Sequence, residues 1–320
     1  MDLNGPTACP AVAVETSETK RNEHLWRLAA RILDSQMIRL FGTIFAALLG
    51  LAFGSFLNVC LSRWPEGESV VKPRSHCRSC GRELAWWENV PLVSWIALRG
   101  RCQTCHAKIS CRYPLVELAV GVLWAFIAWR SYEAFFPVEF ALGMMFLLWT
   151  LVGLAVLDAE YLWLPDLLTL PSIAFGFGWW FLQGKQVGWA LHMPSERLQD
   201  ARAAGLRLLG ILVSAGLILL IRWIYWLIRH REGMGLGDAK LMALLAAWLG
   251  LPGALLSFAL GVFLGAIFAL SLLAAPKPDG NAESWAMTKL PFGTFLCIGG
   301  IVSALWGQPI IAAYLRWAGF

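Results

Sequence analysis

A chain of 320 residues with 58% apolar content and a mean hydropathy of +0.61 exceeds the ~45–50% apolar share of soluble domains, which excludes an ordinary soluble enzyme. Its eighteen tryptophans suit an integral membrane protein, because indole rings favour the bilayer–water interface. The net charge of +5 is modest, and no nucleic-acid partner is expected from it.

Residues 1–36 form a polar tail without the apolar core of a signal peptide, so targeting is expected to fall to the first membrane segment. Runs long enough to cross ~30 Å of hydrocarbon follow at 38–60, 114–133, 137–157, 164–182, 206–228, 239–251, 253–273 and 292–314. The fold expected is an all-α polytopic membrane protein of about eight transmembrane helices. A count of seven arises if the short sixth run, which ends at Leu251-Pro252-Gly253, is re-entrant. The domain reading is a tail at 1–36, a first helix at 37–60, a loop domain at 61–113 and a membrane domain at 114–320.

The interval 61–113 holds nine basic residues against four glutamates, and the positive-inside rule places it in the cytoplasm. Within it stand HCRSC (Cys77, Cys80) and, after 21 residues, RCQTCH (Cys102, Cys105). Two Cys-x-x-Cys knuckles at this separation can give four thiolates to one tetrahedral Zn²⁺, and four thiolates leave no open position, so the metal is structural. Two disulfides or four free thiols are the alternatives, and a reducing cytoplasm disfavours the first. His76 and His106 flank the knuckles as alternative ligands. Cys9, Cys60, Cys111 and Cys297 stand alone and read as small buried residues.

Charge beside hydrocarbon is costly, so acids at helix ends are functional candidates. Asp158 closes the third run and Asp238 opens the sixth, and the alternating topology sets both on the cytoplasmic side. If their helices are neighbours, the two carboxylates could share a proton and activate a water, as aspartic peptidases require. Gly233, Gly235 and Gly237, in REGMGLGDAKL, would let the backbone pass close to an extended peptide. Taken singly, each acid also reads as a solvated helix cap and the glycines as a turn.

Several ordered blocks resemble the type IV prepilin leader peptidases, membrane aspartic peptidases that also N-methylate their products. They are GSFLNVCLSRWP from Gly54, WENVPLVSW between the knuckles, RYPLVELA from Arg112, LDAEYLWLPD from Leu157, GMGLGDAKL, and LPFGTFL from Leu290. The resemblance runs from about Leu48 to the C-terminus and implies that Asp158 and Asp238 are the catalytic pair. It also implies prepilin or pseudopilin substrates cut after a glycine and before phenylalanine at the inner-membrane face, and S-adenosylmethionine as methyl donor. Where many relatives carry Asp-x-Asp, this chain has Asp158-Ala159-Glu160, which gives Glu160 an accessory role. Asp166 is expected to cap or orient the fourth helix, and Glu160 with Glu232 to steer a basic leader.

The methyl-transfer site carries no glycine-rich dinucleotide motif. Relatives that lack the zinc loop tend only to cleave, which points to the loop, with Glu88, Asn89, Gly100 and Glu117 as candidates. Two readings from other classes compete: a proton- or ion-coupled transporter, and an assembly platform that binds pilins without cutting them. Neither the oligomeric state nor the individual substrate follows from the sequence.

Overall fold

The structure, a computed structural model, describes residues 17–134, 137–182, 201–230, 235–274 and 290–319. Cys9, Glu232, Gly233 and most of the expected 183–205 loop lie outside these residues. The chain is an all-α polytopic membrane protein, with no strand longer than an isolated bridge among the described residues. Its helices are α1 (Ser17–Arg63), α2 (Val93–Ala97), α3 (Arg112–Ala134), α4 (Val138–Tyr161), α5 (Asp166–Leu182), α6 (Ala201–Arg229), α7 (Leu236–Ala274) and α8 (Phe292–Trp317). Six of them, α1, α3, α4, α6, α7 and α8, are long and apolar enough to cross a membrane.

Each of the eight apolar runs corresponds to a helix within a residue or two at its start, but the boundaries differ more widely from expectation at two places. Helix α1 begins at Ser17, so residues 17–36 of the expected tail are helical and continuous with the first apolar run. The sixth and seventh runs merge in α7, which breaks at Gly250 (φ 77°, ψ 172°), one residue before the turn expected at Leu251-Pro252-Gly253. That backbone conformation is open essentially only to glycine. Pro252 then falls in the first turn of the new limb, where its missing N–H costs nothing.

Close contacts fix the direction of each helix. Gly54 of α1 lies against α3 so tightly that a Cβ there would stand 2.7 Å from Cα of Glu117, and Gly50 meets Gly121 in the same way. These two helices are therefore antiparallel. Asp158 of α4 lies by Thr294 and Leu151 by Gly300, so α4 and α8 are also antiparallel. The second limb of α7 runs against α8 as well, with Gly261 at Leu296 and Ser257 at Gly299. The chain thus doubles back at Gly250, and Arg63, Arg112, Tyr161, Asp166, Leu236 and Phe292 come to one end of the bundle.

Helix α4 is the buried centre: Leu147, Leu148, Leu151, Leu154 and Leu157 have no exposed surface, and neither do Leu241, Met242, Leu244 and Leu245 in the first limb of α7. Indole N–H groups finish the packing by donating across helices, Trp124 to the Met145 carbonyl and Trp248 to that of Ser172, each at 3.0 Å. Without water to satisfy them, polar groups at this depth must find protein partners.

Candidate active site and metal centre

Asp158 sits in the last turn of α4, which ends when Leu162 adopts a left-handed conformation and its N–H bonds back to the Asp158 carbonyl at 2.9 Å. The side chain is 6% exposed. It points at the first turn of α8, where the Thr294 N–H donates to Oδ2 at 2.7 Å and the Thr294 hydroxyl lies 3.2 Å from the same oxygen. That hydroxyl also donates to the Ala155 carbonyl at 3.0 Å, which fixes α8 to α4 beside the carboxylate. A helix N-terminus offers unpaired N–H groups and a positive dipole end, so the chain has built an anion seat here. Gly293 is part of it: a Cβ at this position would lie 2.9 Å from the Asp158 carboxyl carbon.

Asp238 is the third residue of α7 and is 7% exposed. Its Oδ2 accepts the N–H of Gly235 at 3.2 Å, so an acid in the first turn reaches back to the residue preceding the helix, as in a capping box. Gly237 passes the α4–α5 connection closely, with room for a Cβ only 3.0 Å from Leu164. Helices α4 and α7 meet chiefly through α8, where Gly300 lies between Leu151 and Leu245. This wedge brings Asp158 and Asp238 within electrostatic reach of each other and of the fully buried Cys297.

The neighbouring acids are each answered by a cation. Glu160 accepts from Arg112 at 2.5 Å, tying the end of α4 to the start of α3, which leaves it a fastening role rather than a free steering charge. Asp166 pairs with Lys240 and links the first turn of α5 to α7. Sequence reasoning quoted LPFGTFL but gave Gly293 and Thr294 no task, and it missed Arg112 as the partner of Glu160.

In the loop, the four thiols of Cys77, Cys80, Cys102 and Cys105 all lie within 4.8 Å of one another, with Cys77 and Cys105 Sγ 3.7 Å apart. A tetrahedral zinc with bonds of about 2.3 Å needs sulfurs about 3.8 Å apart, so the donor set fits the ion in chemistry and spacing. The knuckles are built alike: Cys77 N–H bonds to Arg82 O and Cys102 N–H to Ala107 O, both at 2.9 Å. Each knuckle turns through a positive φ directly after its second cysteine, at Gly81 (72°) and His106 (55°). His106 thus occupies the turn position rather than a ligand position, and His76 Nδ1 lies against the Arg74 carbonyl. The Cys105 and Thr104 N–H groups that point at Cys102 Sγ lower its thiol to about 6, favouring the thiolate a metal requires.

Glu88, Asn89 and Glu117 line one cavity of about 660 Å³ between the loop domain and the ends of α1 and α3. Gly100 does not line it, but its φ of 65° and close approach to the Trp95 ring hold that wall residue in place. Glu88 accepts from Arg82 at 2.6 Å and from the Ala85 N–H at 2.8 Å, and the Arg82 bond keeps its carboxyl below the usual range. Glu117 accepts the Leu92 N–H at 2.8 Å. Asn58, also on the wall and 2% exposed, donates to the Tyr113 carbonyl while its Oδ1 has no partner among the described residues.

Residues 48–131 match the bacterial peptidase A24 N-terminal domain and residues 145–270 the type IV leader peptidase family. The chain is 37% identical over 297 residues to a prepilin leader peptidase/N-methyltransferase of Pseudomonas aeruginosa, covering 85% of this chain and 93% of that protein. A protein of the same description from Stutzerimonas stutzeri is 35% identical over 302 residues with the same coverage. One from Myxococcus xanthus is 36% identical over 263 residues, 78% of this chain and 72% of its own. No solved structure matches.

Proposed function

Because the chain belongs to the type IV leader peptidase family, we propose that it removes the basic leader of type IV prepilins or pseudopilins and then N-methylates the new amino terminus. Cleavage falls after a glycine and before phenylalanine, at the cytoplasmic face of the inner membrane. The observation that carries the peptidase reading is the meeting of two buried carboxylates at one end of the bundle: Asp158, from the last turn of α4, faces the first turn of α8, and Asp238 lies in the first turn of α7. Among the described residues neither has a cation partner, unlike Glu160 and Asp166.

In this reading water lies between the two carboxylates, which share one proton because two buried like charges at short range are costly. The ionised partner draws a proton from water as the oxygen attacks the scissile carbonyl, and the protonated partner donates to the carbonyl oxygen. Collapse of the tetrahedral intermediate expels the amine, which takes a proton from the dyad. The Thr294 amide holds Asp158 at a fixed angle throughout. Gly235 leaves backbone room beside Asp238 for the extended substrate, Gly237 lets the chain pass close to Leu164, and Gly233 belongs to the same segment.

Cys77, Cys80, Cys102 and Cys105 would hold a structural zinc, which would order the wall of the adjoining cavity. S-adenosylmethionine, when bound, supplies an electrophilic methyl group. The cavity volume lies within the ~300–1,000 Å³ usual for small-molecule sites. Glu88, Asn89 and Glu117 would hold the donor by accepting from its ammonium and hydroxyl groups, and Trp95 would offer a face for its ring. The test is intact-mass analysis of a prepilin co-expressed with wild type, Asp158→Asn or Asp238→Asn at equal membrane levels. Leader loss with wild type alone supports the dyad, and a further ~14 Da on the mature chain supports methyl transfer. Cleavage by both variants would overturn the dyad assignment, and no cleavage of any prepilin by wild type would favour a binding platform.

A further inference from the structure

We propose that the loop domain is itself a membrane-surface element: its Trp86–Arg99 face lies in the lipid headgroup layer beside α3. Four large apolar side chains stand exposed here although none belongs to a spanning helix: Trp86 (73%), Trp87 (54%), Val93 (62%) and Ile96 (67%). In α2 the exposed residues Val93, Ile96 and Ala97 follow i, i+3, i+4 spacing and so share one face. In a domain surrounded by water, such a patch would be a liability.

The depth of this segment identifies what covers it. Leu92, directly before α2, donates its N–H to Glu117, and Glu117 lies five residues inside α3 from Arg112, about 7–8 Å along the axis. The loop therefore descends below the helix start and runs beside the outer turns of α3. At the same level Leu115 and Leu118 of α3 are 59% and 47% exposed, as expected of residues facing acyl chains. Outward-facing side chains of the segment meet the boundary between headgroups and hydrocarbon. The chemistry matches that boundary: indoles suit it, and the exposed Arg99, two residues past α2, is placed to meet lipid phosphates. The occupant is thus the bilayer that the helices already span. This surface rests on the helices and the loop geometry, not on the peptidase reading, and its failure would leave leader cleavage untouched.

The test uses the full chain in vesicles of phosphatidylethanolamine and phosphatidylglycerol, with benzoyl-phenylalanine replacing Ile96, Trp86, Glu83 or Leu118 one at a time. Glu83 is exposed in the first knuckle and serves as the water-facing control, whereas Leu118 is the lipid-facing control. After illumination, intact-mass analysis should show phospholipid adducts at Ile96 and Trp86 at a yield comparable to Leu118, and none at Glu83. Adducts at Leu118 alone, or chain-to-chain adducts at Ile96 and Trp86, would overturn the proposal, the second outcome identifying a second copy as the partner.

Discussion

Asp158 ends an apolar helix with almost no exposed surface, a position where a carboxylate persists only if something answers its charge. The answer is one backbone amide and the first turn of α8, from residues 136 positions further along the chain. Gly293→Ala is therefore expected to act on the carboxylate directly. Its Cβ would arrive 2.9 Å from the carboxyl carbon, and displacement of a reacting group by even ~1 Å can cost about a hundredfold in rate. A fall of at least about tenfold in cleavage rate, with near-normal protein level, is the expected outcome, measured by leader release over time. Thr294→Val keeps the amide and removes the hydroxyl's contacts with the Ala155 carbonyl and Asp158 Oδ2, so it should cost about 0.5–1.5 kcal/mol of stability and reduce cleavage less than Gly293→Ala does. The two aspartates and the four cysteines were legible as candidates because their residue types and spacing state their chemistry. Gly293 and Thr294 were not, since a Gly-Thr pair at a helix start becomes informative only when its distant partner is known.

At the scale of elements, the break in α7 was visible in Leu251-Pro252-Gly253, but its place at Gly250 was not. Proline signalled the start of the second limb, whereas the residue that absorbs the reversal lies two positions earlier. Arg207 of α6 holds the end of the first limb by donating to the Ala247 and Trp248 carbonyls, so two carbonyls in the last turn of a buried half-helix are paired. Gly250→Ala places a Cβ on a backbone that side chains rarely adopt. The expected loss is about 1–3 kcal/mol, read as a lower midpoint in detergent-based thermal unfolding, and it should reach Asp238 through the limb it opens. The knuckles are an element of the opposite kind, fully legible in sequence because the turn and its ligands are local. Purified protein should hold about one zinc per chain by elemental analysis, and Cys77→Ser should lower that content and expose the many Arg and Lys residues of 61–113 to limited trypsin digestion.

On the scale of the whole molecule, two candidate sites sit at one end of the bundle on different helices. The carboxylate pair belongs to α4 and α7, and the cavity lined by Glu88, Asn89 and Glu117 belongs to the loop, α1 and α3. At this end the Arg112–Glu160 pair fastens one to the other, and its arginine is only 17% exposed along its side chain. Sequence could not reveal this link: Glu160 read as a variant of a catalytic motif, and Arg112 as one more positive charge. Because the carboxylate lies two residues from Asp158 and the guanidinium opens the helix that carries Glu117, the pair sets the distance between the two sites. On the proposed reading, cleavage needs only the first site, whereas methylation needs the new amino terminus to reach the second. Glu160→Gln should therefore leave cleavage within a few-fold of wild type while unmethylated mature product accumulates, seen as a ~14 Da lighter species in the same mass spectrum. Glu88→Gln should give the same product for a different reason, by weakening the cavity wall where Arg82 loses its charged partner. The two are separable by donor concentration: raising S-adenosylmethionine should restore methylation in Glu88→Gln but not in Glu160→Gln. A parallel fall of cleavage and methylation in Glu160→Gln would show instead that the pair supports the fold as a whole.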